Sequence, residues 1–183
     1  LNNLFRPKGI AIIGASNRPF TIGHRIMTNL QTYGFKGPIT PVNPKGGEIL
    51  GVEVAKSIKE VPHDVDLAHV IVRNTLVAQT LRDCAEKGVN VCIDNTSGFK
   101  ELSEEGARME QEIVAIGKEL GIRLFGPNCQ GVMNTDPEVS LYSNFTFARM
   151  SPGHVSMVCQ GGGVAEVINN YFGMNNIGQR MYA

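Results

Sequence analysis

Short apolar runs alternate with amphipathic stretches through the first 125 residues of the chain, and glycines stand where they join. The first run, residues 8–14, is typical of a buried parallel strand. The stretch from Ile22 to Tyr33 predicts a helix that ends at Gly34. Further strands are predicted at 38–42, 65–72, 89–94 and 122–125, and further helices at 75–87 and, capped by Ser103, up to Leu120.

This order of elements predicts an α/β fold, a Rossmann-type parallel sheet with helices on both faces. The crossovers in such a sheet are right-handed. Its ligands bind beyond the carboxyl ends of the strands. The loops that follow the predicted strands are therefore where we expect the binding residues.

The pattern changes after Pro127. Residues 128–149 predict short strands and turns, and a strand at 154–158 and a helix from about Gly163 follow. We interpret residues 1–150 as one Rossmann-type domain. Residues 151–183 are interpreted as the opening of a second, flavodoxin-like α/β domain, because one strand and one helix are too small to bury a core. A terminal helix that docks on the first domain is the alternative.

The composition argues against two classes of partner. Hydrophobic residues make up 42% of the chain, and 17 Lys and Arg balance 17 Asp and Glu. A chain without net charge has no electrostatic footprint for nucleic acid or an anionic membrane. No apolar run approaches the roughly 20 residues of a membrane helix. The four cysteines are widely spaced, which favours free thiols and a cytoplasmic location over a zinc site or a disulfide framework.

The first chemical motif is the loop of residues 14–23, between the first strand and the first helix. Backbone N–H groups and the positive end of that helix make an anion site. Gly14 allows the tight turn, and Ser16 and Asn17 add side-chain donors. The loop lacks the middle glycine of the G-x-G-x-x-G fingerprint, so it differs from an NAD site.

The second motif, residues 41–47, follows the second strand. An NAD site usually has an acidic residue there, to hold the ribose hydroxyls. This chain has Lys45 instead, flanked by Pro44, Gly46 and Gly47. A cation suits a phosphorylated ribose, as in coenzyme A with its 3′-phosphate or NADP with its 2′-phosphate. The motif leaves both ligands open.

Three segments together resemble one family. Residues 4–16, residues 41–51 and residues 121–129, the last with Gly131 and Val132, are similar to three ordered signatures of nucleoside-diphosphate-forming acyl-CoA synthetases. The resemblance extends to the α subunit of succinyl-CoA synthetase and covers essentially the whole chain. It implies a coenzyme A-binding domain.

The resemblance also implies the residues that contact coenzyme A. The first loop would cradle its phosphates, Lys45 its nucleotide end, and the loop after the fourth strand its pantetheine arm. The family usually has Val-Pro-Ala after the third strand, so Arg73 departs from the pattern, although an arginine suits a phosphate. The implied contacts are Gly14, Ala15, Ser16, Asn17, Lys45, Val72, Arg73, Asn95, Thr96, Ser97, Asn128 and Cys129.

Cys129 would lie near the thiol end of coenzyme A. No histidine accompanies it in a pattern that indicates nucleophilic catalysis, so we interpret it as a packed or pocket-lining thiol. The last motif precedes the final helix at Gly161, Gly162 and Gly163. In the family, the matching helix faces a phosphorylated catalytic histidine. Here Cys159 and Gly161 replace the family's serines, which leaves the backbone amides to face a phosphate.

The resemblance implies a mechanism through an acyl phosphate and a phosphohistidine. None of the four histidines has the required glycine-rich context, so we predict no catalytic residue and no metal ligand in this chain. A carboxylic acid would be the substrate. ATP or ADP and Mg²⁺ would be bound by a nucleotide-grasp domain or a β subunit. Two alternatives remain: a non-catalytic coenzyme A module that regulates an acetyltransferase, and an NADP-binding Rossmann domain.

Overall fold

A computed structural model describes all residues, 1–183, and contains eleven strands and five α-helices. The strands are β1 (Ile10–Ile13), β2 (Ile39–Val42), β3 (Glu48–Ile49), β4 (Val52–Glu53), β5 (Leu67–Val70), β6 (Val91–Asp94), β7 (Arg123–Phe125), β8 (Gly131–Asn134), β9 (Leu141–Asn144), β10 (Pro152–Met157) and β11 (Gln179–Tyr182). The helices are α1 (Asn2–Phe5), α2 (Ile22–Thr32), α3 (Asn74–Glu86), α4 (Glu104–Glu119) and α5 (Gly162–Met174).

The main sheet has five parallel strands in the order β2-β1-β5-β6-β7. All four residues of β1, β5 and β6 are buried, as expected of central strands that are covered on both faces. Alternate residues of β1 enter different apolar clusters: Ala11 and Ile13 pack on the side of α3 and α4, and Ile10 and Ile12 on the side of α2. The predicted Rossmann-type fold is confirmed.

The predicted helix boundaries also agree with the structure. Ser103 caps α4, because its Oγ accepts a hydrogen bond from the backbone N–H of Gly106 at 3.0 Å. Glu104 and Glu105 add negative charge at the positive end of this helix. After β2, the antiparallel strands β3 and β4 form a hairpin.

A second sheet has the strand order β10-β11-β8-β9. β10 and β11 are parallel and are joined through α5, whereas β8 pairs antiparallel with both β11 and β9. The segment 128–149 therefore forms strands that share a sheet with β10 and β11, which lie beyond residue 150. The division into domains at this residue stays a prediction, and the structure adds that the sheet runs across it.

Two further observations concern the whole chain. No helix combines the length and the apolar character that crossing a membrane requires. No group of three or more histidine, cysteine, aspartate or glutamate side chains is arranged to hold a metal ion, and all four cysteines are free thiols.

Candidate ligand site at the carboxyl edge of the sheet

The turn between β1 and α2 is built for close backbone approach. Gly14 has a φ of 87°, and a Cβ at this position would lie 1.9 Å from the carbonyl oxygen of Ile71. Only glycine fits such a position. The N–H of Gly14 donates to the carbonyl of Val42 at 2.9 Å, which fixes the turn to the end of β2.

The N-terminus of α2 is open to a ligand. Its first-turn amides, those of Ile22, Gly23 and His24, donate no hydrogen bond within the chain. Thr21 provides no side-chain cap, and the first turn has no acidic residue. Free N–H groups and the positive end of the helix dipole together favour an anion.

Side chains of the first loop form hydrogen bonds that fix its conformation. Ser16 Oγ accepts a hydrogen bond from the N–H of Arg18 at 3.1 Å, and Asn17 Nδ2 donates to the carbonyl of Glu48 at 2.9 Å. The hydroxyl proton of Ser16 has no acceptor among these contacts, so it can be donated to a ligand. The loop is thereby held against the β3–β4 hairpin.

Asn43 joins the second motif to the first loop. Its Nδ2 donates to the carbonyl of Ala15 at 2.9 Å, and its Oδ1 accepts from the N–H of Lys45 at 3.0 Å. The two predicted motifs are therefore adjacent in space. This role of Asn43 was not predicted, although a polar residue directly after a buried strand is a signal that could have indicated it.

Three cations at this edge are free to meet an anion. Arg18, Lys45 and Arg73 are exposed, and none of them takes part in an ion pair. Arg73 is also the N-cap residue of α3, so its backbone lies at the positive end of a second helix. A chain with no net charge thus carries local positive groups at the predicted binding edge.

The loops after β5 and β6 are tied to each other. Asn74 Nδ2 donates to the carbonyl of Gly98 at 2.6 Å. Asn95 and Thr96 are buried and their polar side-chain atoms are engaged within the protein, whereas Ser97 is exposed. Of these three predicted contacts, Ser97 is the one whose side chain is free for a ligand. Val72 is half-buried beside Arg73.

Cys129 lies in the turn after β7, next to Asn128, which is exposed and has a φ of 54°. The thiol lies 3.4 Å from the carbonyl oxygen of Asp94 and 3.5 Å from that of Phe125, to which it can donate. Burial, with a smaller contribution from the Asp94 carboxylate, raises the pKa of Cys129 to about 12. A thiol that stays protonated at neutral pH is a poor nucleophile, which supports the pocket-lining interpretation.

Asp94, whose backbone carbonyl contacts the Cys129 thiol, was not among the residues predicted from the sequence. Its side chain is buried at the end of β6, where Oδ1 accepts the N–H of Thr96 at 3.0 Å and Oδ2 has no partner. Burial raises the pKa of this carboxyl to about 6, against the hydrogen bond from Thr96, which lowers it. Nothing in the local sequence distinguishes it from an ordinary aspartate at a strand end.

A cavity of about 230 Å³ lies between the segment after β7 and the glycine-rich turn before α5. It lies between the turn of Cys129 and the turn that begins α5, and Cys159, Gly162 and Tyr182 also line it. Gly161 is the N-cap of α5 and makes no side-chain cap, and Gly163 is exposed in its first turn. The predicted phosphate-facing helix end is thus brought to the predicted thiol end of the coenzyme.

Gln130 and Glu166 hold α5 in this position. Gln130 Nε2 donates to Glu166 Oε2 at 2.9 Å, and the hydroxyl of Tyr182 donates to Gln130 Oε1 at 2.5 Å. Glu166 also accepts the N–H of Phe147 at 3.0 Å. These contacts join residues more than 15 positions apart, so no local pattern indicated them.

Another cavity, of about 660 Å³, lies at the opposite edge of the sheet. Gly117, Lys118 and Gly121 line it at the carboxyl end of α4, together with the start of β7. The carboxyl end of a helix carries partial negative charge, which disfavours phosphate. Size alone therefore does not make this cavity the ligand site.

Comparison with known proteins identifies the relatives. The CoA binding domain family matches residues 8–135. The alpha subunit of ADP-forming acetate–CoA ligase II from Pyrococcus furiosus is 44% identical over 163 residues, which are 88% of this chain and 35% of the relative. The ADP-forming 4-hydroxybutyrate–CoA ligase of Nitrosopumilus maritimus is 36% identical over 165 residues, which are 90% of this chain and 24% of the relative.

A solved structure of a similar enzyme matches the fold of this chain. The apo form of acetyl-coenzyme A synthetase 1 from Ca. Korarchaeum cryptofilum matches with a TM-score of 0.93 and 34% identity over 100% of this chain and 39% of that chain. The chain thus spans about a quarter to two-fifths of the length of these relatives. The predicted resemblance to ADP-forming acyl-CoA synthetases, and coenzyme A as the ligand of the domain, are confirmed: this chain belongs to the CoA binding domain family.

Proposed function

We propose that this chain is the coenzyme A-binding part of a nucleoside-diphosphate-forming acyl-CoA synthetase. The observation that carries the proposal is the combination of the Gly14 turn, the free amides of α2 and the unpaired Lys45 at one end of the sheet edge. Backbone amides suit the pyrophosphate of coenzyme A, and Lys45 suits its 3′-phosphate.

The strand order indicates how the coenzyme would lie along the edge of the sheet. β1 and β2 lie at one end of the sheet and β7 at the other. Three strand spacings of about 4.8 Å separate β1 from β7, a span of about 14 Å. In our proposal the adenosine phosphates occupy the β1–β2 end with Arg73 beside the nucleotide, and the pantetheine arm passes Ser97. The thiol then reaches the cavity beside Cys129.

The glycine-rich turn before α5 fits the same proposal. The N-terminus of α5, with Gly161, Gly162 and Gly163, borders that cavity and offers amides to a phosphate. In the proposed reaction an acyl phosphate forms and its phosphoryl group passes to a histidine outside this chain. The nucleotide and Mg²⁺ are held by a nucleotide-grasp domain or a separate subunit. The unit β10–α5–β11 opens the second α/β domain.

Two further features follow from the proposal. Relatives that share this part differ in the acid that their names specify, acetate or 4-hydroxybutyrate. The overall similarity to these relatives therefore does not identify the residues that select the carboxylic acid. A cytoplasmic location agrees with four free thiols.

Calorimetric titration of the chain with coenzyme A, dephospho-coenzyme A, NADPH and NADH tests the ligand. The proposal predicts that coenzyme A binds tightest and that NADH shows no specific binding. Tighter binding of NADPH than of coenzyme A would favour the NADP alternative. A second assay supplies ATP, Mg²⁺, coenzyme A and acetate to the chain alone, and we expect no acetyl-CoA, because the phosphorylated histidine lies elsewhere.

A further inference from the structure

A buried histidine lies directly beneath the predicted site. His69 is on β5, the central strand of the main sheet, and its side chain is fully buried. Its Nδ1 is 2.7 Å from Asn95 Oδ1, and its Nε2 is 2.5 Å from the hydroxyl oxygen of Ser143. Asn95 and Ser143 are 26 and 74 residues away in sequence, so the imidazole joins three separate elements.

The hydrogen bonds determine where the ring proton is. Asn95 Nδ2 donates to the carbonyl of Cys129 at 2.9 Å, so the Oδ1 of the same amide faces His69. An amide oxygen can only accept a hydrogen bond, and His69 Nδ1 must therefore carry the proton. Nε2 is then the acceptor, and the Ser143 hydroxyl donates to it. The result is a directed chain from Ser143 through His69 and Asn95 to Cys129.

We infer that His69 is a positioning residue, which holds the turn of Cys129 in place through Asn95 as a neutral imidazole protonated on Nδ1. The consequence for coenzyme binding rests on the proposed function, since the turn of Cys129 lines the cavity assigned to the thiol end. Asn95 itself then acts on the turn and not on the ligand. Its side chain is committed at both ends.

Burial supports this assignment. The pKa of His69 is lowered to about 4 by loss of solvation, which outweighs the hydrogen bond with Asn95. A buried polar group is stable only when its partners are present. Loss of the Nδ1 proton donor would leave Asn95 Oδ1 unpaired, and the amide would be free to turn away from Cys129.

Two substitutions of His69 distinguish the roles of its two ring nitrogens. The amide nitrogen of His69→Asn lies as many bonds from Cβ as Nδ1 does, so this variant keeps the donor toward Asn95. His69→Gln reaches as far as Nε2 and keeps only the contact with Ser143. A third variant, Ser143→Ala, removes the hydroxyl that donates to His69 Nε2 and leaves the hydrogen bond between His69 and Asn95 in place.

The test uses ¹⁵N NMR of the 183-residue chain and titration with coenzyme A. The ring nitrogens of His69 are expected to show a protonated Nδ1 and an unprotonated Nε2. The backbone amides of Cys129 and Gln130 should shift in His69→Gln and stay in place in His69→Asn. Coenzyme A affinity should fall about tenfold in the Gln variant, as for one lost hydrogen bond, and change less than threefold in the Asn variant.

A ring protonated on Nε2, or a folded His69→Gln chain with unshifted amides at Cys129, would overturn the inference. If His69→Gln does not fold, Ser143→Ala and His69→Asn still test the direction of the chain through the ring-nitrogen pattern and the Cys129 amides. Absence of coenzyme A binding in the unsubstituted chain contradicts the proposed function alone, because the NMR readouts need no ligand.

Discussion

The two ends of the sheet's carboxyl edge are built differently. At the β1–β2 end, the binding groups are backbone amides, a helix terminus and exposed cations such as Lys45. At the β7 end, the turn of Cys129 is held by neighbouring residues: the buried Asn95 side chain donates to the Cys129 carbonyl, and the half-buried Cys129 thiol contacts the Asp94 carbonyl. The first end suits phosphate charge, and the second suits the shape of a neutral arm.

The difference has consequences for substitution. Backbone amides cannot be removed by changing a side chain, so the β1–β2 end is sensitive mainly to glycine replacements and to loss of charge. The β7 end depends on buried polar groups that need their partners, so changes there alter stability and pH dependence.

Gly14→Ala should have the largest effect. The new Cβ would meet the carbonyl of Ile71 at 1.9 Å, at a φ of 87°. We expect a loss of about 3 kcal/mol or more in the free energy of unfolding, measured by urea denaturation. Gly34→Ala is the matched control, because its φ is 71° and nothing lies within 4 Å, so it should cost about 1 kcal/mol. Equal losses would show that the close approach at Gly14 is unimportant.

Asp94→Asn should stabilise the chain at neutral pH. The folded pKa of about 6 is above the ordinary value of 3.8, so the native state holds this proton more tightly than the unfolded state does. Stability from this group is therefore full below pH 4 and is lost as pH rises through 6. The Asn variant avoids the loss, and we expect a gain of roughly 1–3 kcal/mol at pH 7.5.

The measurement for Asp94→Asn is urea denaturation at several pH values. The gain should disappear near pH 3.5, where the wild-type carboxyl is protonated in both states. Asp64→Asn is the control, because it removes a carboxylate from an exposed side chain. A gain that is constant across pH would contradict the burial of an ionisable Asp94.

Cys129→Ala should have the smallest effect. The thiol contacts protein carbonyls and stays protonated at neutral pH, so we expect coenzyme A affinity to change by less than threefold, or about 0.6 kcal/mol. Alkylation of native Cys129 followed by mass spectrometry should be slow at pH 7.5 and fast after denaturation. Rapid alkylation of the folded chain would indicate a reactive thiol and would contradict the pocket-lining interpretation.

The sequence indicated most of the fold because the main sheet follows simple local patterns. Apolar runs predicted β1, β5 and β6, and Ser103 marked the start of α4. β11 (Gln179–Tyr182) was missed, since it contains no β-branched residue and its partners β8 and β10 lie far apart in the chain.

Parts of the candidate site could be predicted from local sequence, and their contacts with a ligand stay predictions. The Gly14 turn and Lys45 could be recognised from residue type and from their places after strands. Contacts between distant side chains, such as Asn43 with Ala15 or His69 with Ser143, could not be recognised, because they arise only once the elements pack. Asn95 shows the limit: its place after β6 was predicted from the strand pattern, whereas its buried side chain faces the protein, and its contact with coenzyme A stays a prediction.

Lys45 is proposed to bind the 3′-phosphate of the coenzyme. The most direct test is a double cycle of dissociation constants for coenzyme A and dephospho-coenzyme A, with the wild-type chain and Lys45→Ala. Lys118→Ala, at the opposite edge of the sheet, is the control. We predict that the wild-type chain and the control prefer coenzyme A by about 1.5–3 kcal/mol, and that Lys45→Ala loses this preference. A Lys45→Ala chain that still prefers coenzyme A by the same margin would contradict the account.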